Sequence, residues 1–270
     1  MARYLNKNKA HRRRIITATI GLPIVFYILL FAPYLVFSLF VLAIGVISAY
    51  EHYSLWGLKS KKILFWGHVF LSACLILYFA FDPYHLTGLN LFVLISSLYF
   101  ILIYRYTPQQ LSLLPICIFG LIYPNLFLAH AFLIRALPKG KIWLFWILLT
   151  VFASDTGAFY VGNLFGRHKL YEQLSPGKTW EGGIGGILSA ILLGFIGLIW
   201  LPISLEKILF LSLIIAISGQ IGDLFESAIK RHARCKDSGH ILPGHGGMLD
   251  RIDALLFVLP VLYYILLWMR

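Results

Sequence analysis

Charge is scarce in this chain. Only 13% of its 270 residues are Asp, Glu, Lys or Arg, against 60% hydrophobic, and a water-soluble domain could not cover that much apolar surface with so few charges. Long polar stretches are missing as well: apolar runs recur from about residue 15 to the C-terminus, and no linker, internal repeat or low-complexity tract separates them. That excludes a pair of soluble domains and predicts one continuous membrane domain. Cysteine is sparse. Cys74, Cys117 and Cys235 are widely spaced and two of them fall in apolar runs, which excludes a disulfide framework or a cysteine-built metal site and predicts reduced thiols. No Walker A loop or dinucleotide glycine fingerprint occurs, so any nucleotide is held by another scheme.

What is present is a series of apolar runs. A hydrocarbon core of about 30 Å needs roughly 20 apolar residues as helix, and runs of about that length fall at 15–32, 34–54, 63–81, 89–105, 111–134, 142–162, 183–202, 207–226 and 252–269. The predicted fold is therefore an all-α polytopic membrane protein of about nine transmembrane helices. About five belong to an N-terminal region over 1–140 and about four to a C-terminal, catalytic region over 141–270. Pro33 marks a break or a kink between the first two runs.

The formal charge of +12 invites a nucleic-acid reading, but the cations sit in short loops between apolar runs, where they set orientation. With the N-terminus in the cytosol, all but Arg135, Lys139, Lys141, Lys207 and Arg270 of the 23 Lys and Arg residues fall on the cytosolic side. The basic stretch at residues 3–14 reads as a topology anchor ahead of a retained first span, since no small-residue cleavage site follows it. An odd number of spans places the C-terminus outside.

Acidic residues point to function. Of eleven, the eight other than Glu51, Asp82 and Glu206 are expected on the cytosolic side or within a turn or two of it, all of them in the C-terminal part from Asp155 to Asp253. A charge inside a bilayer costs on the order of 3 kcal/mol by insertion scales, so Asp155 and Asp223 are expected to line a hydrated cavity. Asp223, Glu226, Ser227 and Lys230 are spaced to share one face if their helix runs through them, and Asp250 and Asp253 are likewise three apart. Carboxylates from two helix ends are the oxygen donors that Mg²⁺ prefers. Lys230, Arg231, Arg234, Lys236, His245 and Arg251 surround them, and the loop before the seventh run adds Ser175, Lys178 and Thr179. Such mixed clusters suit a metal-bound polyphosphate.

The stretch SAIKRHARCKDSGHILPGHGGMLDRID, Ser227–Asp253, resembles the signature of the phosphatidate cytidylyltransferase (CDP-diacylglycerol synthase) family. SDTGAFYVGNLFGRHKL at Ser154–Leu170, SPGKTWEG at Ser175–Gly182 and GQIGDLFES at Gly219–Ser227 are similar to it too, with Gly177 where many members carry a second lysine. Together these stretches cover about the last hundred and twenty residues. The resemblance implies that CTP and phosphatidic acid react to give CDP-diacylglycerol and pyrophosphate, with Mg²⁺ and a monovalent cation such as K⁺ as cofactors. It further implies a homodimer, no nucleic-acid partner, and a multi-pass location in the cell's inner (plasma) membrane with the active site facing the cytosol. Carried over by motif, Asp223, Asp250 and Asp253 are metal ligands. Lys230, Arg231 and Arg251 join them as catalytic residues, and Ser175, Lys178, Thr179, Ser227, Lys236, Asp237 and His245 bind substrate.

Other polar residues have plainer readings. His11, His68, His130 and His168 read as ordinary polar positions, Glu172 as solvated, and Trp143, Trp146 and Trp180 as interfacial or packing residues. Glu51 reads as a cap or as the partner of a loop cation. The cluster Gly182, Gly183, Gly185 and Gly186 is expected to let helices approach closely. Intramembrane carboxylates also build transporters, yet these gather at one face and no inverted repeat accompanies them.

Overall fold

The computed structural model of the chain describes residues 19–82, 87–104, 112–241 and 246–269. The basic stretch at 3–14, with His11, and the site candidate His245 lie outside the described residues. Backbone at lipid depth must satisfy its own hydrogen bonds, and the described chain is accordingly helical almost throughout.

Helix α1, Thr19–Leu30, ends ahead of Pro33, which precedes α2, Tyr34–Leu55. Proline lacks the N–H that an inner turn requires, so the expected break falls there. Helices α3, Lys62–Phe81, and α4, Thr87–Tyr104, follow. Then α5, Leu114–Gly120, passes through a π-helical turn, Leu121–Leu126, into α6, Phe127–Arg135. Pro124 lies inside that turn, where its missing donor forces the hydrogen-bond ladder to re-register. Helix α7, Gly140–Phe165, leads to a hairpin of β1, Lys169–Tyr171, and β2, Ser175–Thr179. Helices α8, Trp180–Gly194, α9, Gly197–Trp200, α10, Leu205–His232, and α11, Leu249–Trp268, complete the chain.

Seven helical stretches among the described residues are long and apolar enough to cross a membrane, with mean hydropathy from 1.6 to 2.2. They are α2, α3, Leu114–Arg135, α7, Trp180–Trp200, α10 and α11. The apolar helices Thr19–Leu30 and Asn90–Ile103 occupy the two remaining runs but are shorter. Two further differences from the sequence reading stand out. The loop before the seventh run is a two-stranded antiparallel hairpin, so the chain is not wholly helical. Moreover α10 continues to His232, about two turns past the apolar run that ends near residue 226, so Asp223, Glu226, Ser227 and Lys230 do lie on one helix at the spacing that shares a face.

The described residues form two compact units, one of those up to Ala129 with Asp237–Arg251, the other of His130–Lys236 with those from Ile252 on. In the first, Tyr53, Leu64, Phe65, Phe100 and Cys117 form a buried cluster. Polar cross-links join its helices. Tyr53 Oη donates to Cys117 O at 3.2 Å, and His68 lies 2.9 Å from both Leu64 O and Ser96 Oγ.

In the second unit α7 and α8 pack most intimately, at glycine. A Cβ at Gly182 would come 2.9 Å from Ala158 O, one at Gly186 would come 2.9 Å from Ser154 O, and one at Gly185 would strike Val161. The glycine cluster therefore brings helices together as expected. Interhelical hydrogen bonds in bilayers average only about 0.6 kcal/mol, and close backbone approach adds van der Waals packing to them. Trp146 is fully buried and donates to Gly194 O at 3.2 Å, a packing role, while Trp180 is exposed. Outward faces carry Trp66, Phe70, Ile101, Leu164, Leu192 and Ile199, all exposed, as lipid contact requires.

Candidate active site

The second unit holds a cavity of about 400 Å³ lined by parts of α7, the hairpin, α8 and α10. This is within the range that accommodates a small ligand. Its polar lining consists of Asp155 and Asn163 from α7, Ser175, Lys178 and Thr179 from β2, and Gln220 and Asp223 from α10. Each element delivers its residue for a local reason. The glycine contact of α7 with α8 accompanies Asp155 in the cavity wall, and Thr179 ends the hairpin as the N-cap of α8, its Oγ1 accepting from Gly182 N at 3.1 Å. With two strands so short, Lys178 stands close to the helices, and its Nζ lies 2.6 Å from Asp223 Oδ2.

Neighbouring contacts fix the hairpin. Glu181, in the first turn of α8, accepts from the backbone N–H groups of Arg167 and His168 and lies 2.6 Å from His168 Nδ1. His168 is thus tied into the start of the hairpin and is more than an ordinary surface histidine. Arg231 Nε donates to Leu174 O at 3.1 Å and pins the hairpin turn to the end of α10. Gln220 Nε2 donates to Gly183 O at 3.0 Å.

The sequence-expected site residues divide between the two units. Ser175, Lys178, Thr179 and Asp223 share the cavity, and Asp155, expected to line a hydrated space, joins them. Asp253 lies within reach of the fields of Asp223, Asp155 and Lys230. Lys230 Nζ lies 2.5 Å from Oε2 of the fully buried Glu226 one turn earlier, and this contact occupies part of its donor capacity. Ser227 is half-buried on the same helix, and Lys236 is exposed beyond its end. Asp237, Asp250 and Arg251 belong to the first unit. There Asp237 and Arg251 are exposed, while Asp250 Oδ2 accepts from Ser238 N at 2.9 Å and Gly247 N at 2.8 Å.

Glu51 takes the cap alternative, and it caps a helix far along the chain. Glu51, near the end of α2, is buried, and among the described residues no cation pairs with it: its oxygens accept from Ser238 Oγ at 3.2 Å, Met248 N at 3.0 Å and Leu249 N at 2.8 Å. Its place in an otherwise apolar run was the available signal, since such a charge is costly without a purpose. Among the described residues no group of three or more His, Cys, Asp and Glu side chains is close enough to hold a metal ion. None of the three cysteines forms a disulfide.

Residues 12–269 match the cytidylyltransferase family. A phosphatidate cytidylyltransferase of Bacillus subtilis (strain 168) is 34% identical over 267 residues, which cover 94% of this chain and 97% of that relative. A protein of the same name from Staphylococcus saprophyticus is 39% identical over 153 residues, or 56% of this chain and 58% of the relative. Another from Staphylococcus epidermidis is 44% identical over 131 residues, 48% and 50% of the two chains.

Proposed function

The chain belongs to the cytidylyltransferase family, and from that premise we propose that it transfers CMP from CTP to phosphatidic acid, giving CDP-diacylglycerol and pyrophosphate in a membrane. The observation that carries this reading is the polar cavity in an otherwise apolar helical unit, with the Lys178–Asp223 ion pair at its wall and Asp155 beside it. A lysine that can leave a carboxylate for a phosphate, next to acidic groups that attract cations, is the equipment a polyphosphate needs.

The lipid phosphate is anionic at neutral pH, so one of its oxygens can attack the α-phosphorus of CTP without a strong general base. A new P–O bond forms, the bond from the α-phosphorus to the α,β-bridging oxygen breaks, and pyrophosphate leaves with that electron pair. Alignment and charge neutralisation are the demands on the protein. Lys178 is assigned to the phosphates of CTP, and Ser175 and Gln220 to polar contacts in the same cavity. Arg231 holds the hairpin that carries Lys178.

The donor set suits Mg²⁺. Asp223, Asp253 and Asp155 are hard carboxylate oxygens, and the ammonium of Lys178 against Asp223 is itself a cation drawn to that position. Asp223 and Asp253 would hold the ion, with Asp250 added by its place in the signature. When bound, the ion supplies neutralisation of phosphate charge. The reading also carries K⁺ as a second ion, nine membrane crossings with a cytosolic N-terminus and site, an inner-membrane location and a homodimer.

The test is conversion of CTP labelled at the α-phosphate into chloroform-soluble lipid by the purified protein in detergent with phosphatidate. Label in lipid that depends on phosphatidate is expected. Label entering lipid only from the γ-phosphate would indicate a kinase, and none from either position would remove the assignment.

A further inference from the structure

We infer that Glu51 is a positioning residue for the transfer reaction, a clip that fixes Ser238 and the first turn of α11 and so orients Asp250. The inference deepens the proposed cytidylyl transfer and rests on it.

Three observations converge on this carboxylate. It is buried at 1% exposure near the end of a membrane helix, and it accepts three hydrogen bonds, all from residues 187 to 198 positions further along the chain. Two of the donors, Met248 N and Leu249 N, are backbone groups at the first turn of α11, where no intrahelical acceptor exists for them. The space around the carboxylate is made by glycine. A Cβ on Gly239 would strike Glu51 Oε1, and one on Gly247 would meet Ser238 Oγ and come 2.6 Å from Glu51 Oε2. Those glycines sit in the recognisable signature, and their smallness is accounted for by Glu51, which lies outside it.

Ser238 is the shared point. Its hydroxyl donates to Glu51 and its N–H donates to Asp250 Oδ2, which also accepts from Gly247 N. Glu51 and Asp250 therefore both bind Ser238 and the start of α11. When the first is removed, the orientation of the second loses support, although Glu51 itself touches no substrate. Its action would be to raise the fraction of molecules whose loop is already in the competent shape.

That mode of action has a kinetic signature. If only a fraction of molecules is competent before binding, apparent affinity falls by that fraction, while substrate at saturation can still draw the loop into place. Glu51→Gln keeps one carbonyl oxygen but presents an amide group to the remaining donors, and Glu51→Ala presents nothing. Steady-state kinetics of the purified, folded variants are expected to show KM for CTP raised about tenfold in Glu51→Gln and further in Glu51→Ala, with kcat lowered less than threefold in Glu51→Gln. Faster amide exchange at Met248 and Leu249 should accompany this. Glu206→Gln, at the far end of α10, serves as the control and should match the parent.

A purely structural role would lower the yield of active enzyme, and with it the apparent kcat, while leaving KM unmoved. That result, or parental kinetics in both Glu51 variants, overturns the inference. Should the Glu51 variants fail to fold, Gly247→Ala reads the same clip from the opposite side and is expected to raise KM for CTP as well. An unchanged KM there would sink the proposal. Absence of product from the parent protein itself would instead refute the cytidylyl-transfer reading.

Discussion

Lys178 and Asp223 make up the most consequential pair of side chains, since they are opposite in charge, in contact, and set into the wall of a cavity. If Asp223 serves a cation or orders phosphates, Asp223→Asn keeps its shape and removes its charge. Turnover of CTP and phosphatidate by that variant is expected to fall about 100-fold or more, the scale seen when a group that stabilises developing charge is lost. Near-parental turnover would take Asp223 out of the site. Lys178→Met should chiefly raise KM for CTP, by about tenfold, and leave the helical content by circular dichroism unchanged. Removal of divalent ions by EDTA is expected to abolish product and excess Mg²⁺ to restore it, whereas activity that persists through chelation would dismiss the metal. Much of this was legible in the sequence, because carboxylates within apolar runs are costly and spacing put Asp223 and Glu226 on one face. What was not legible is which partner each charge finds. Lys178 of the hairpin rests on Asp223 of α10 and Arg231 on a backbone carbonyl, and neither choice follows from spacing, whereas the Glu226–Lys230 contact is the four-residue pair that a helix offers.

At the level of helices and strands, the α7–α8 contact and the hairpin between those helices build the cavity together. Gly186→Val would push a branched side chain toward Ser154 O and Gln220 Nε2, both about 3 Å from its Cβ. Overpacking of this sort costs about 1–3 kcal/mol. A drop of several degrees in the thermal unfolding midpoint in detergent is expected, whereas Gly177→Ala, with no heavy atom within 4 Å of the new methyl, should leave that midpoint where it was. An unaltered midpoint in Gly186→Val would mean that the helices part easily. Hydropathy located these helices because apolar runs of about 20 residues are unambiguous. It passed over the hairpin because SPGKT, with proline, glycine and lysine, carries little strand propensity, and its extended form depends on pairing with Lys169–Tyr171 and on the Thr179 cap.

For the molecule as a whole, the chain offers its own reporter of orientation. Cys235 lies just past the end of α10, beside the cations assigned to the cytosol, while Cys117 is buried and Cys74 lies within α3. In a Cys74→Ser background, a membrane-impermeant maleimide is expected to label Cys235 in inside-out vesicles and not in right-side-out vesicles or intact cells. Labelling from the outside would reverse the topology and move the site away from cytosolic CTP. The sequence offers an expectation of orientation because the distribution of lysine and arginine is one-sided. By contrast, the fastening of α2 to the signature segment could not be read from it, because contact between residues so distant along the chain leaves no local pattern.

The distance from Glu51 to Ser238, 187 residues, also imposes an order of manufacture. A ribosome releases the second helix long before the partners of its carboxylate have been made, so a nascent chain carries an unanswered acid in an apolar segment through most of its synthesis. Chains halted before Asp237 should therefore be recognised as unfinished and degraded faster than chains released after α11, a difference that pulse-chase labelling would measure. Equal lifetimes would mean that the lone carboxylate goes unnoticed by quality control.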